Sequence, residues 1–199
     1  MFTPEDGRSA VRVARAQIEK RLGGKGDVTF EDPLVFKRPS GVFVTLNTYP
    51  DKELRGCIGY SEPIMALGDA LREVAVAAAT RDPRFPPVRL KEMESIVIDV
   101  TLLTPPTKIT YKGPDDLVAN IVIGRDGLIA RKGPYSGLLL PQVPVEWKWT
   151  VEEFLRHTCM KAGLPGDEWR RGGVEFQSFS GRVFGERSPR GDVEEEELS

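Results

Sequence analysis

Residues 54 to 59, Leu-Arg-Gly-Cys-Ile-Gly, place the Cys57 thiol between Gly56 and Gly59, two residues after the guanidinium of Arg55. Glycine lets the backbone turn sharply and approach another molecule closely, and a nearby cation favours the thiolate, the nucleophilic form of cysteine. The same pattern also suits a tight turn in which Cys57 is only a small apolar side chain, since free cysteine is often buried. The segment therefore predicts either a reactive site or a structural turn, and its residues alone leave both open.

A second segment, Thr-Arg-Asp-Pro-Arg-Phe-Pro-Pro, sets Arg81, Asp82 and Arg84 on one stretch of chain with three prolines. Prolines oppose both a helix interior and a central strand, so the stretch is predicted to be a rigid loop. Two guanidiniums on such a loop can grip a carboxylate or a phosphate in bidentate fashion. The alternative is an Arg–Asp pair that only pins the loop.

His157 is the only histidine, and Cys57 and Cys159 are the only cysteines. His157 would be a general base if the helix predicted over 151–162 brought it to Cys57, but a solvated or capping side chain suits its position better. Cys159 lies on the apolar stripe of that helix and is expected in the core. Neither a disulfide framework nor a zinc site is expected, and no phosphate-binding glycine motif identifies a cofactor.

Charge and composition exclude several classes of protein. The net charge of −2 over 199 residues arises from the acidic end at 188–199, so the remaining chain is near neutral, unlike a dedicated nucleic-acid binder. No run approaches the ~20 apolar residues that span a bilayer, and no signal-peptide core is present, so the cytoplasm is the expected location. Five Asn and Gln residues against 16 prolines indicate a heat-loving source.

The apolar spacing predicts helices and strands that are interspersed, with the strands in hairpins. Helices are expected over residues 4–22, from about Pro63 onward, and over 151–162; a hairpin is expected over 34–47. Further strands are expected near 53–57, over 95–103, as a three-stranded meander within 121–142, and over 174–187. This pattern favours an α+β fold over a doubly wound parallel sheet.

Six segments together resemble one known family, the AMMECR-one domain family, named for a chromosomal region linked to Alport syndrome, midface hypoplasia and elliptocytosis. The resemblance runs from the first predicted helix to about residue 186 and leaves the acidic end outside. The segments occur in the order Leu-Arg-Gly-Cys-Ile-Gly (54–59), Asp-Pro-Arg-Phe-Pro-Pro (82–87), Ile-Asp-Val-Thr-Leu-Leu-Thr-Pro-Pro (98–106), Asp-Gly-Leu-Ile-Ala-Arg-Lys-Gly (126–133), Gly-Leu-Leu-Leu-Pro-Gln-Val (137–143) and Lys-Ala-Gly-Leu-Pro with a following Trp (161–169).

The resemblance implies a two-lobed α+β fold of mostly antiparallel sheets packed with helices, with a cleft between a larger and a smaller lobe. Residues 1–187 are then a single domain of two lobes, and residues 188–199 an acidic, disordered tail. The family has no established reaction. Its association with a MEMO-type protein and a radical-SAM protein implies a shared modification pathway.

Two hypotheses about function follow. In the first, the chain is an enzyme in which Cys57 is the nucleophile or redox group and Arg55 and Arg84 orient an anionic substrate in the cleft. In the second, it is a non-catalytic module that binds a protein partner, with nucleic acid a less favoured ligand. A third reading makes the motif purely structural. The candidate residues are catalytic Cys57 and binding Arg55, Gly56, Gly59, Asp82 and Arg84, with no metal ligands; the oligomeric state is not predicted.

Overall fold

The structure, a computed structural model, describes residues 2–24 and 32–196. The chain divides into two units, of which the first holds the described residues up to Leu103 and from Arg182 onward, and the second holds Thr104–Gly181. Helices and antiparallel strands are interspersed in both, which confirms the α+β class. The helices are α1 (Pro4–Arg21), α2 (Leu67–Thr80), α3 (Pro114–Ala119), α4 (Gln142–Glu146), α5 (Val151–Lys161) and α6 (Glu168–Arg171), and short 3-10 helices span Leu34–Lys37 and Leu90–Ser95. The strands are β1 (Val42–Thr48), β2 (Leu54–Tyr60), β3 (Ile96–Leu103), β4 (Thr107–Lys108), β5 (Asp126–Lys132), β6 (Tyr135–Leu139), β7 (Glu175–Glu186) and β8 (Val193–Glu196).

The first unit packs α1 and α2 on one face of its sheet. Strand β1 lies between β2 and β3 and is antiparallel to both. Alternate residues of a strand point to the same face, and on β1 and β3 the core-facing set is fully apolar. A helical stripe on each helix covers this face, and burying it supplies the main driving force for folding. The buried set includes Val42, Val44, Leu46, Ile98, Val100 and Leu102 from the strands, with Val11, Ala14, Ile18, Leu71, Val74 and Ala78 from the helices.

Helix α1 begins where the sequence predicts. The Thr3 side chain accepts from the Asp6 N–H while the Asp6 carboxylate accepts from the Thr3 N–H, which forms a capping box. Farther along the helix, the buried Arg15 donates through Nε to Glu186 of β7 at 2.6 Å and through Nη2 to the Ile96 carbonyl at 2.6 Å. The hydrogen bond joins α1 to β3, and the ion pair joins α1 to the second half of β7.

The second unit builds its own core beneath α5. Strand β5 pairs with β6 on one side and with the first half of β7 on the other. A capping box of Thr150 and Glu153 starts α5, as the sequence predicts. Cys159 is fully buried in this core, which confirms its expected place. The other buried members include Leu128, Phe154, Leu155, Trp169 and Phe176.

Several expected elements differ from the observed ones. The hairpin predicted over 34–47 is wrong in its first half, because Leu34–Lys37 form a 3-10 helix that buries Phe36 alone. The meander predicted within 121–142 has two strands, since Asp126 folds back on Val122 through both its N–H and its carboxylate. The helix expected near Pro63 begins at Leu67.

The acidic end is ordered over Val193–Glu196, where β8 pairs antiparallel with β7. The expectation of a disordered tail over 188–199 is therefore wrong for these residues, and 197–199 lie outside the described part. Arginines of β7 and the following turn neutralise the acids: Arg182 pairs with Glu195 at 2.5 Å, and Arg187 pairs with Glu194. Among the helices of residues 2–24 and 32–196, none is long and apolar enough to cross a membrane.

Candidate active site at Cys57

Cys57 lies on β2, the edge strand in the order β2-β1-β3-β7. Its backbone N–H donates to Oδ2 of Asp82 at 2.8 Å, and its carbonyl accepts from Nη2 of Arg84 at 3.3 Å. An edge strand presents unpaired donors and acceptors. At Cys57 the Asp82 and Arg84 side chains bind the outward-facing N–H and carbonyl. The loop after α2 therefore replaces a neighbouring strand at the position of the thiol.

Thr45 of β1 is the cross-strand partner of Cys57. Because the N–H and carbonyl of Cys57 point away from β1, the two residues form a non-hydrogen-bonded pair, the kind that brings side chains of antiparallel strands closest together. The Thr45 hydroxyl lies 3.2 Å from Sγ of Cys57 and donates to it. Cys57 is half-buried as a residue, and one hydroxyl fixes the direction of its thiol.

Asp82 is the buried anion of the site, with only 2% of its side chain exposed. Arg84 donates to it from Nε at 3.0 Å and from Nη2 at 2.7 Å. The Arg84 guanidinium, with the N–H groups of Cys57 and Arg84, holds the pKa of Asp82 well below its usual range despite burial. The loop thus carries a permanently charged carboxylate aimed at the backbone of β2.

Arg84 is the exposed half of this pair, with 53% of its side chain accessible. Its pKa is raised, first by the hydrogen bond to Asp82 and also by the negative charge that Cys57 can carry. Its Nη1 makes no hydrogen bond to any residue that the structure describes. Arg84 can therefore hold Asp82 and still offer Nη1 to an anion beside the thiol.

Arg55 is engaged differently, and only 14% of its side chain is exposed. Its Nε and Nη2 donate to Oε2 of Glu92 at 3.2 and 3.1 Å, and its Nη1 donates to the Pro86 carbonyl at 2.9 Å. These contacts tie β2 to the far end of the proline-rich loop. The geometry therefore makes Arg55 a positioning residue for the loop that holds Cys57.

Both glycines that flank Cys57 permit close approaches. A Cβ added at Gly56 would lie 2.3 Å from the Ala78 carbonyl oxygen in the last turn of α2, and one at Gly59 would lie 2.2 Å from the Phe43 ring. Gly56 thus lets β2 rest directly on the end of α2, the point from which the Asp82 loop departs. The motif and the loop form one assembly.

A polar row crosses the sheet from the thiol. Cys57, Thr45 and Asp99 are successive cross-strand partners on β2, β1 and β3, so they share the face opposite the apolar core. Burial, and then the charge of Glu196, raises the pKa of Asp99 to about 6, against the opposing effects of Lys52 and of the Asn47 hydrogen bond. This face of the sheet therefore carries a titratable carboxyl group at Asp99.

The remaining sequence candidates lie elsewhere. In the second unit, the His157 ring stacks on Trp149 with centroids 4.0 Å apart and planes 6° apart. Burial raises the pKa of the Cys159 thiol to about 11. Within the described ranges no group of three or more His, Cys, Asp and Glu side chains could hold a metal ion. Sequence reasoning missed Thr45 and Glu92, because only the strand register and the loop path bring them to Cys57 and Arg55.

The family of the chain is shown by comparison with a family model. The AMMECR1 family model matches residues 11–184, which include Cys57, Asp82 and Arg84, and the chain belongs to this family. The resemblance seen in the sequence is thereby confirmed.

Particular relatives come from archaea. Protein MJ0810 of Methanocaldococcus jannaschii is 56% identical over 198 residues, covering 100% of this chain and 98% of that protein. Protein MK0488 of Methanopyrus kandleri is 50% identical over 202 residues, covering 100% and 97%. The crystal structure of protein PH0010 from Pyrococcus horikoshii superposes with a TM-score of 0.79 at 46% identity, covering 99% of each chain.

Substitution of Gly56 by alanine tests the contact between β2 and α2. Because the Cβ would meet a backbone carbonyl at 2.3 Å, we expect Gly56→Ala to lower the free energy of unfolding by about 2–3 kcal/mol. Gly113→Ala is the matched control, since nothing lies within 4 Å of its added Cβ, and it should cost less than about 1 kcal/mol. Urea denaturation measures both, and equal losses would contradict the close packing.

Asp99→Asn tests the titration on the polar row. The folded state holds the Asp99 proton up to about pH 6, above the ordinary value of 3.8, so the contribution of Asp99 to the free energy of unfolding falls as pH rises between about 4 and 6. Two pKa units correspond to at most about 3 kcal/mol. We expect Asp99→Asn to match the wild type at pH 4 and exceed it by up to that amount at pH 7.5. The exposed Asp51→Asn is the control, and a constant Asp99→Asn difference across this range would refute the assignment.

Proposed function

We propose that the chain is an enzyme in which Cys57 is the nucleophile and Arg84 holds an anionic group of the substrate. The observation that carries the proposal is the placement of Sγ. The Cys57 N–H donates to Asp82 and its carbonyl accepts from Arg84, while Sγ accepts from the Thr45 hydroxyl. The residue is half-buried. A hydroxyl on the thiol and a guanidinium on the same residue are neighbours that can orient a nucleophile and its anionic substrate.

The chemistry suited to this site is attack on an electrophilic carbon such as a carbonyl. The thiol proton passes to water, the sulfur electron pair forms an S–C bond, and the carbonyl π pair moves to oxygen. Arg84 would hold the negative group of the substrate through Nη1, while Nε and Nη2 remain on Asp82. In this proposal Arg55 positions the loop by binding the Pro86 carbonyl. Gly56 and Gly59 let β2 pass close to its neighbours, which sets the position of Cys57.

The second candidate is a binding module in which Cys57 does no chemistry. It is favoured by the same free Nη1 of Arg84, which would recognise a partner's carboxylate equally well. In that case Arg84→Gln weakens capture of the partner and Cys57→Ser does not. Partnership with a MEMO-type protein or a radical-SAM protein, implied by the family resemblance, stays a prediction. So does a cytoplasmic location, where the thiol would remain reduced.

Alkylation by iodoacetamide at pH 7 tests the proposal. We expect Cys57 to react roughly tenfold faster than cysteine in a short peptide, as its proposed role as nucleophile requires. Cys159 is the internal control: its burial and its pKa near 11 should leave it unmodified. Peptide mass spectrometry assigns the modified residue.

Variants separate the contributions of the neighbours. Thr45→Val and Arg84→Gln should each slow the alkylation severalfold, whereas Lys148→Gln, an exposed lysine in the second unit, should leave the rate unchanged. A Cys57 that reacts no faster than the peptide thiol would rule out the enzymatic proposal and leave the binding module.

A further inference from the structure

A groove of about 910 Å³ in the first unit lies beside Arg55 and away from the thiol's own contacts. Pro86 and Pro87 line it together with residues of the 3-10 helix Leu90–Ser95 and the residue before that helix. Prolines hold their backbone in one conformation, so this part of the wall is rigid. Three cationic side chains line it, and we call it the Arg89–Lys91 groove after the two that do not pair with Glu92.

The groove carries positive charge that the described residues do not neutralise. Its one lining carboxylate, Glu92, is fully engaged: Oε2 accepts from Arg55, and Oε1 accepts from the Arg89 N–H at 2.8 Å. The side chains of Arg89 and Lys91 are exposed, and neither forms an ion pair or a hydrogen bond with another described residue. The neighbouring Glu94 makes no ion pair with Lys91. Two unpaired cations therefore face one open groove.

We propose that the Arg89–Lys91 groove binds an acidic peptide segment. An extended peptide presents alternate side chains on one side, about 7 Å apart, and the long side chains of Arg89 and Lys91 can each pair with one of its carboxylates. The proline wall offers apolar surface to the side chains between them. A single phosphate would leave most of the volume unfilled, since pockets of about 300–1,000 Å³ suit larger ligands.

Nucleic acid is the poorer match to the same cations. The chain has a net charge of −2 and lacks the broad basic field that attracts a polyanion. Two cations above a proline wall suit a short acidic stretch of protein better.

The groove adjoins the proposed active site through one side chain. Arg55 holds Glu92 and the Pro86 carbonyl, both of them groove residues, and it precedes Cys57 by two positions on β2, about 7 Å along the strand. The part of the groove that Arg55 lines therefore lies about two residues from Cys57 on β2. The idea that the groove recognises the substrate of Cys57 rests on the proposed function. Binding of the acidic peptide does not require that Cys57 react.

Isothermal titration with two synthetic peptides tests the inference. The probes are acetyl-(Glu-Ala)₃-amide and its neutral counterpart acetyl-(Gln-Ala)₃-amide, at about 0.15 M salt so that distant charges are screened. We expect the acidic peptide to bind at least tenfold more tightly than the neutral one. The double variant Arg89→Gln/Lys91→Gln should lose at least tenfold in affinity, while Lys112→Gln/Lys148→Gln, which removes the same charge from the second unit, should bind as the wild type does.

Equal binding of both peptides, or an unchanged affinity in the Arg89→Gln/Lys91→Gln variant, would overturn the inference. So would tighter binding of inorganic phosphate or of a single-stranded oligonucleotide that is likewise lost in that variant. Thermal melting confirms that the surface variants fold. Cys57→Ser should bind the acidic peptide as the wild type does. Binding that persists while Cys57 proves unreactive would refute the enzymatic proposal and leave the groove intact.

Discussion

The carboxylate of Asp82 is the constraint on which the site depends. It is buried and ionised, and it binds both the guanidinium of Arg84 and the N–H of Cys57. A buried charge is tolerated only when its hydrogen bonds are made, and the Cys57 N–H is the group of β2 that supplies one of them. The backbone of Cys57 is consequently fixed by Asp82 and Arg84, and its thiol contacts the Thr45 hydroxyl.

The same constraint explains why the glycine-flanked motif and the proline-rich loop occur together in one chain. Helix α2 ends against β2 because Gly56 has no Cβ to meet the Ala78 carbonyl. The loop that follows then has only to turn back for Asp82 to reach Cys57, and Arg55 fixes its far end at Pro86. The two arginines predicted to bind a ligand therefore have different roles. Arg55 positions the loop, and Arg84 binds Asp82 while its Nη1 has no hydrogen-bond partner among the described residues.

The sequence located the two helices whose caps are local, but it placed neither the contacts between distant residues nor the first strand of the hairpin expected over 34–47. The Thr3 and Thr150 capping boxes locate α1 and α5 because their partners lie three residues away. Cys57 and Asp82 were found by residue type, but their hydrogen bond spans 25 residues and depends on the length of α2. The ordered acidic end was missed for the same reason, since its stability comes from Arg182 and Arg187 rather than from its own residues.

Hydrogen exchange at the Cys57 amide, followed by NMR, tests most directly whether Asp82 holds the thiol strand. The reference is the Ile58 amide, which faces β1 in the ladder. We expect Cys57 to be protected in the wild type although it lies at the sheet edge, and Asp82→Asn to speed its exchange at least tenfold relative to Ile58. Exchange of Cys57 at the rate of an open edge in the wild type, or at an unchanged rate in Asp82→Asn, would show that Asp82 does not hold the strand.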